Sequence, residues 1–389
     1  MVILGLNKGS RLNKHYLELD LIKGVMIVFV ILLHSCLVFG SVLPKVYPKS
    51  LDFIIPFSIS IAVPVFFIVM GRNYGASFKR HHYTTLKSIY SLNYFKKQLK
   101  RTVYPLFIIA VLSIPIGLLV NGHLYFGVET LIGRIPFGGR SIEWGNYFAS
   151  IILEFIFIFP LMYIVYKKYP NLMLILAFIL NLLFELVAVC FPIFWGYDAA
   201  YIYRASIFRY LFVIALGLWV ADKLTVIPVK ELLLKYKFIL FGLSLSLIVI
   251  FENAFYGIKL PFFLYSWQPQ NLLAAFYPFV IVILLFHILP SETGSKIVKF
   301  VGSLGKASYH IFLIQILFFA SGYTGAKLIL KTRLYTKIGA YGLILSTILD
   351  LTICISLGFL FYHTTTKNPM KKLKPKKEDT EIGFVIHSK

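Results

Sequence analysis

LDLIKGVMIVFVILLHSCLVFG, running from Leu19 to Gly40, is the stretch whose reading decides the fold. It is apolar almost throughout and matches the about 20 residues that a helix needs to cross a bilayer. Yet Asp20, Lys23 and His34 lie inside or at the edge of it. At about 1.5 Å and about 100° per residue, His34 stands roughly 16 Å along the axis from Lys23 and only about 20° round from it. Asp20 falls about 40° from His34, on the same stripe. Ionisable side chains facing lipid are costly, so this stripe is expected to face a protein interior.

Composition extends that reading to the whole chain. Of 389 residues, 59% are hydrophobic and only 14% are charged, with a mean hydropathy of +0.81. A soluble domain carries about 25% charge. The chain therefore reads as an all-α integral membrane protein. Its net charge of +23 would suggest nucleic acid in a soluble protein. Here most of the Lys and Arg residues fall in loops and tails, which reads as topology and contact with anionic lipids, and no nucleic-acid partner is expected.

About ten spans are expected, near 19–40, 51–71, 102–121, 146–166, 171–192, 205–221, 236–254, 270–289, 307–327 and 338–362. The first run is too long for a signal-peptide core and no small-residue cleavage site follows it, so it should remain as the first span. The distribution of basic residues puts both termini in the cytoplasm, with the loop near 328–337 as the one violation. The organisation is then a cytoplasmic N-terminus over 1–18, a membrane domain over 19–362 and a polybasic cytoplasmic tail over 363–389. Two loops are long: the basic cytoplasmic stretch 72–101, and the Gly-rich, aromatic external stretch 122–145, placed to cover a site from outside. Cys36, Cys190 and Cys354 are far apart and read as buried structural cysteines, and no metal-ligand spacing is present.

Three features bear on chemistry. His34 reads either as an imidazole hydrogen-bonded to a neighbouring helix or as a general base, since imidazole titrates near neutral pH. Lys23 either snorkels to the boundary or meets an anionic donor, and Asp20 pairs with it. Lys97, Lys100 and Arg101, in YFKKQLKRTVYP (Tyr94–Pro105), are a topology signal or a set of charge-assisted phosphate donors. GSLGKASYHIFLIQ (Gly302–Gln315) gives one helix an unusual density of polar groups, Tyr309 among them. Glu154 and Arg209 sit deep in apolar runs and each needs a partner, either as an ion pair holding the bundle or as part of a site.

Taken in order, these segments resemble the membrane acyltransferase 3 family. Lys23 and His34, ten residues between them, are similar to its first-helix motif. The basic approach to Pro105 resembles its Arg-rich lead into the third helix. Pro64–Gly71 is similar to its PxFFxxSG segment, with Met70 in place of Ser, and LGKASYHIFLIQ resembles its late LGxxSYxIYLxH motif. The resemblance implies an O-acyltransferase that moves an acyl group, usually acetyl, from cytoplasmic acetyl-CoA or another acyl-CoA to a hydroxyl of a cell-surface glycan or lipid-linked sugar. It implies His34 as the base, Lys23 as its basic partner, and Lys97, Lys100 and Arg101 on the CoA phosphates. The acyl-CoA would be a co-substrate, with no tightly bound cofactor and no metal. Asp20, Glu154, Arg209 and Tyr309 would support the site. Gln315 stands where the family usually has a late His, so no second imidazole role carries over to that position. The alternative from composition alone is a multi-span transporter or flippase for a glycan or amphiphile, which has the same intramembrane charges but no need of His34.

Overall fold

The computed structural model describes residues 17–45, 47–121, 147–195, 199–223, 231, 235–256, 270–290, 295–322, 324–331 and 341–366. Among these residues the regular structure is entirely helical. The external stretch 122–145 with Trp144, then Trp267, and the basic tail from Lys367 all lie outside the described residues.

Among the described residues ten principal helices fall where the apolar runs put them. They are α1 (Leu17–Val42), α2 (Leu51–Arg80), α3 (Tyr104–Asn121), α4 (Tyr147–Lys168), α5 (Pro170–Ala188), α6 (Leu211–Lys223), α7 (Lys237–Tyr256), α8 (Phe276–Ile288), α9 (Lys296–Ser321) and α10 (Tyr341–Thr366). A helix Leu92–Gln98 and a π-helical turn Leu99–Val103 lead into α3. Among the described residues eight helical stretches are long and apolar enough to cross a membrane, so this is a multi-pass membrane protein. The exceptions are α6 and α8, each with 13 residues of α-helix after a short 3₁₀ turn. The shortness of α6 has a packing reason: every residue from Leu211 to Val220 is buried, so the helix is surrounded by protein rather than lipid. Large apolar side chains such as Phe107, Ile175, Phe241 and Ile348 point outward from α3, α5, α7 and α10, as lipid-facing positions require.

Two helix pairs form the centre: α1 packs most extensively on α9, and α2 on α6. Both seams are closed by small residues. A Cβ on Gly24 would stand 2.1 Å from the Val301 carbonyl oxygen, and one on Gly305 would stand 1.7 Å from that of Asp20. No side chain fits there, so the two backbones touch, as in small-residue helix contacts within membranes. The Gly71 that ends the PVFFIVMG segment does the same work in the other seam, where its Cβ would meet the Ile214 carbonyl at 2.3 Å. The two helices cross where Asp20 and Gly24 meet Val301 and Gly305, and they meet again further along both chains at His34 and Gln315, so these helices run parallel. Fully buried Ile22, Ile27 and Ile31 of α1, with Ile311 and Ile316 of α9, belong to the apolar core.

The three cysteines are free. Cys354 is buried, but Cys190 is exposed, because it lies in the turn just past the end of α5.

Candidate active site

The polar stripe of α1 turns inward, as its cost in lipid demands. Asp20 is 2% exposed and His34 6%. Lys23 is half-buried and its Nζ lies 2.8 Å from Asp20 Oδ1, one turn away on the same helix. Lys23 and His34 are eleven positions apart, about 16 Å of helix, so the two share a wall without touching. The His34 imidazole meets α9 instead. Its Nδ1 is 2.7 Å from Gln315 Nε2, and the Phe319 ring stands edge-on to it, 5.6 Å away at 72°. Gln315 is fully buried. The next residue of α1 is also anchored: Ser35 Oγ donates to Asp350 Oδ2 of α10 at 2.7 Å, and Asp350 Oδ1 accepts from the Gly325 backbone N–H at 2.8 Å.

The basic segment before α3 follows a simple helical pattern. Tyr94, Gln98 and Thr102, four residues apart, face inward, while Lys97, Lys100 and Arg101 are exposed. Gln98, the uncharged residue interrupting the basic run, is therefore the inward one, and its Oε1 accepts from the Tyr74 hydroxyl at 2.8 Å. Tyr94 donates to the Ile156 carbonyl of α4 at 2.8 Å and pins the short helix there. At the π turn Pro105 brings no N–H to the preceding carbonyls. There the Thr102 carbonyl accepts a 2.9 Å hydrogen bond from the Tyr309 hydroxyl of α9. Tyr309 and Gln315 are six residues apart, so α9 holds the basic turn and the imidazole about 9 Å apart along its axis.

Residues 16–363 match the family model described as an acyltransferase domain. The chain belongs to the acyltransferase 3 family. Searches of curated proteins and of solved structures return no match. As a member, the protein is a membrane acyltransferase, with an acyl donor and an acceptor as the substrates that such an activity entails.

In this acyltransferase the other two sequence candidates lie apart from His34. Glu154 Oε2 accepts from the Ile207 backbone N–H at 2.7 Å, fixing the 3₁₀ turn that carries Arg209. Arg209 is 1% exposed, and its guanidinium lies over Tyr203 at 4.3 Å and Tyr210 at 5.4 Å from the ring centroids. Glu185, within electrostatic reach of Arg209, is fully buried. Its Oε1 accepts from Asn181 Nδ2 at 3.0 Å and from the Leu272 N–H at 2.8 Å. Gln270 continues the network to Tyr210 and to the Ile59 carbonyl of α2. The cluster ties α2, α4, α5, α6 and the turn before α8 together.

Sequence reading missed the contact of Gln315 with His34 and that of Asp350 with Ser35. Both residues are polar groups inside apolar runs, which is a signal of a partner but not of which one. Arg72, counted with the basic stretch 72–101, is in fact buried on α2, with its guanidinium 5.6 Å from the Phe286 ring centroid.

Proposed function

We propose that this acyltransferase moves an acyl group, most simply acetyl, from acyl-CoA to a hydroxyl of a cell-surface glycan or lipid-linked sugar, with His34 as general base. The observation that carries the reading is the parallel α1–α9 seam, in which one helix holds both the imidazole, through Gln315, and the basic turn, through Tyr309. In this reading the termini and the basic turn face the cytoplasm, where Lys97, Lys100 and Arg101 meet the phosphates of the CoA. The thioester reaches into the membrane toward His34. The imidazole takes the acceptor hydroxyl's proton as its oxygen attacks the thioester carbonyl. The C–S bond breaks, and the departing CoA thiolate recovers that proton. Lys23, held by Asp20, adds positive charge on the same wall. The basic loops favour a plasma membrane rich in anionic lipid.

Membranes carrying the protein, supplied with acetyl-CoA labelled on the acetyl group, should pass label into the glycan or lipid-linked sugar fraction. A transporter would leave the label on CoA. Transfer at the parent rate by His34→Ala would overturn the assignment of the base.

A further inference from the structure

Consecutive residues of a helix point about 100° apart, so whatever fixes one side chain fixes the direction of its neighbour. His34 faces α9, and the next residue of α1, Ser35, faces α10 and is fully buried. Its Oγ donates to Asp350 Oδ2 at 2.7 Å and lies 3.2 Å from the Thr347 hydroxyl, one turn earlier on α10. The Ser35 hydroxyl is thus seated between two groups of a single helix. The other oxygen of Asp350 is engaged as well. Oδ1 accepts the Gly325 N–H at 2.8 Å, at the start of a short helix, Gly325–Lys331, that follows α9 in the chain. A Cβ at Gly325 would stand 2.6 Å from the Ser346 carbonyl oxygen, so the backbone lies directly against α10. That closeness lets an N–H that the short helix cannot pair for itself reach the carboxylate. One fully buried carboxylate therefore joins α1, α10 and the segment after α9, one residue away from the imidazole.

We infer that Asp350 is a positioning residue that, through Ser35, sets the rotation of α1 and so the place of the His34 imidazole. The inference rests on His34 being the base. The buried Leu33 and Val38 beside it offer apolar contact, which is non-directional. A hydroxyl on a carboxylate has a preferred length and angle. A side-chain tip stands about 5–6 Å from the helix axis, so a turn of about 10° carries it about 1 Å. Misplacement by about 1 Å costs a catalytic group about a hundredfold in rate. A single hydrogen bond inside a membrane bundle adds little to stability by comparison. The link from Ser35 to Asp350 thus bears on turnover more than on folding.

The test separates the two arms of the carboxylate. Ser35→Ala breaks only the arm to α1, and Asp350→Ala removes both. Asp350→Asn keeps both, since its Oδ1 accepts the Gly325 N–H and its Nδ2 donates to the Ser35 hydroxyl. Transfer of labelled acetyl from acetyl-CoA to the glycan and sugar-lipid fraction of the same membranes gives kcat per folded molecule and the acetyl-CoA KM for each. The expected kcat is down about tenfold in Ser35→Ala and about a hundredfold in Asp350→Ala. Asp350→Asn stays within about threefold of the parent, and every KM within about twofold. A link that served folding alone would lower melting and leave kcat per folded molecule unchanged. Parent-like kcat in Ser35→Ala overturns the inference, as does an Asp350→Asn that falls as far as Asp350→Ala. If Asp350→Ala is not recovered folded, Ser35→Ala is set against Asp350→Asn, and equal turnover of the two overturns the inference. His34→Ala run alongside separates the claims. An inactive His34→Ala with a parent-like Ser35→Ala refutes the role of Asp350 alone, and an active His34→Ala refutes the base and the inference with it.

Discussion

The bundle buries two polar clusters, and they are built on opposite plans. At the α1–α9 seam the imidazole of His34 meets the amide of Gln315 and the edge of the Phe319 ring. At the junction of α4, α5 and α6, Glu185 and Arg209 are gripped from many directions by Asn181, the Leu272 N–H, Tyr203 and Tyr210. A buried charge partnered from several helices holds those helices together. A titratable ring held at Nδ1 from a second helix is oriented. On the proposed reading the first cluster does the chemistry and the second the assembly, and substitutions distinguish the two.

The largest effect is expected at the seam. His34→Ala should lower transfer by about a hundredfold or more while the protein still elutes as a folded species from size exclusion. Glu185→Leu should do the reverse. It leaves the Arg209 cation buried without its carboxylate, a loss of about 3–5 kcal/mol. Thermal unfolding in detergent should show that loss, and the molecules that do fold should transfer at the parent rate. An inactive yet fully stable Glu185→Leu would erase the distinction between the clusters.

Between these extremes lies Gly305→Val. A Cβ there meets the Asp20 carbonyl, so α1 and α9 must separate, at a cost of about 3 kcal/mol. Because the same separation pulls His34 from Gln315, this variant should lose both stability and turnover, measured by melting and by labelled transfer. Joint replacement of Lys97, Lys100 and Arg101 by Gln should raise the acetyl-CoA KM by about tenfold with kcat unchanged, because exposed cations contribute binding rather than chemistry. The smallest effect is expected from Tyr309→Phe, which removes one hydrogen bond to the π turn, worth about 0.6 kcal/mol inside a membrane bundle. A larger change in the acetyl-CoA KM than in melting would show that the turn's position matters to the donor.

Much of this was legible in the sequence for a physical reason. The lipid solvent imposes a local rule, about 20 apolar residues per span, and a local rule can be read without a partner. It located all ten principal helices, although it overstated α6 and α8, which have 13 residues of α-helix each. The stripe of Asp20, Lys23 and His34 was likewise local, since three residues on one helix fix their own geometry. The ordered motifs from Lys23 to Gln315 carried the family, which the match over residues 16–363 then showed.

Which groups meet was decided only by the tertiary structure. Gln315 lies 281 residues from His34, and the register that joins them depends on two backbones touching at Gly24 and Gly305. No periodicity within either helix contains that register, because it is set by the shape of the other helix. The same holds for Glu154 and Arg209, whose sequence showed only that each needed a partner, and whose helices place them in the joint of α4, α5 and α6 rather than beside the imidazole. The sequence by itself determined that the chain is a membrane bundle with an expensive histidine in its first helix. Packing determined what that histidine faces.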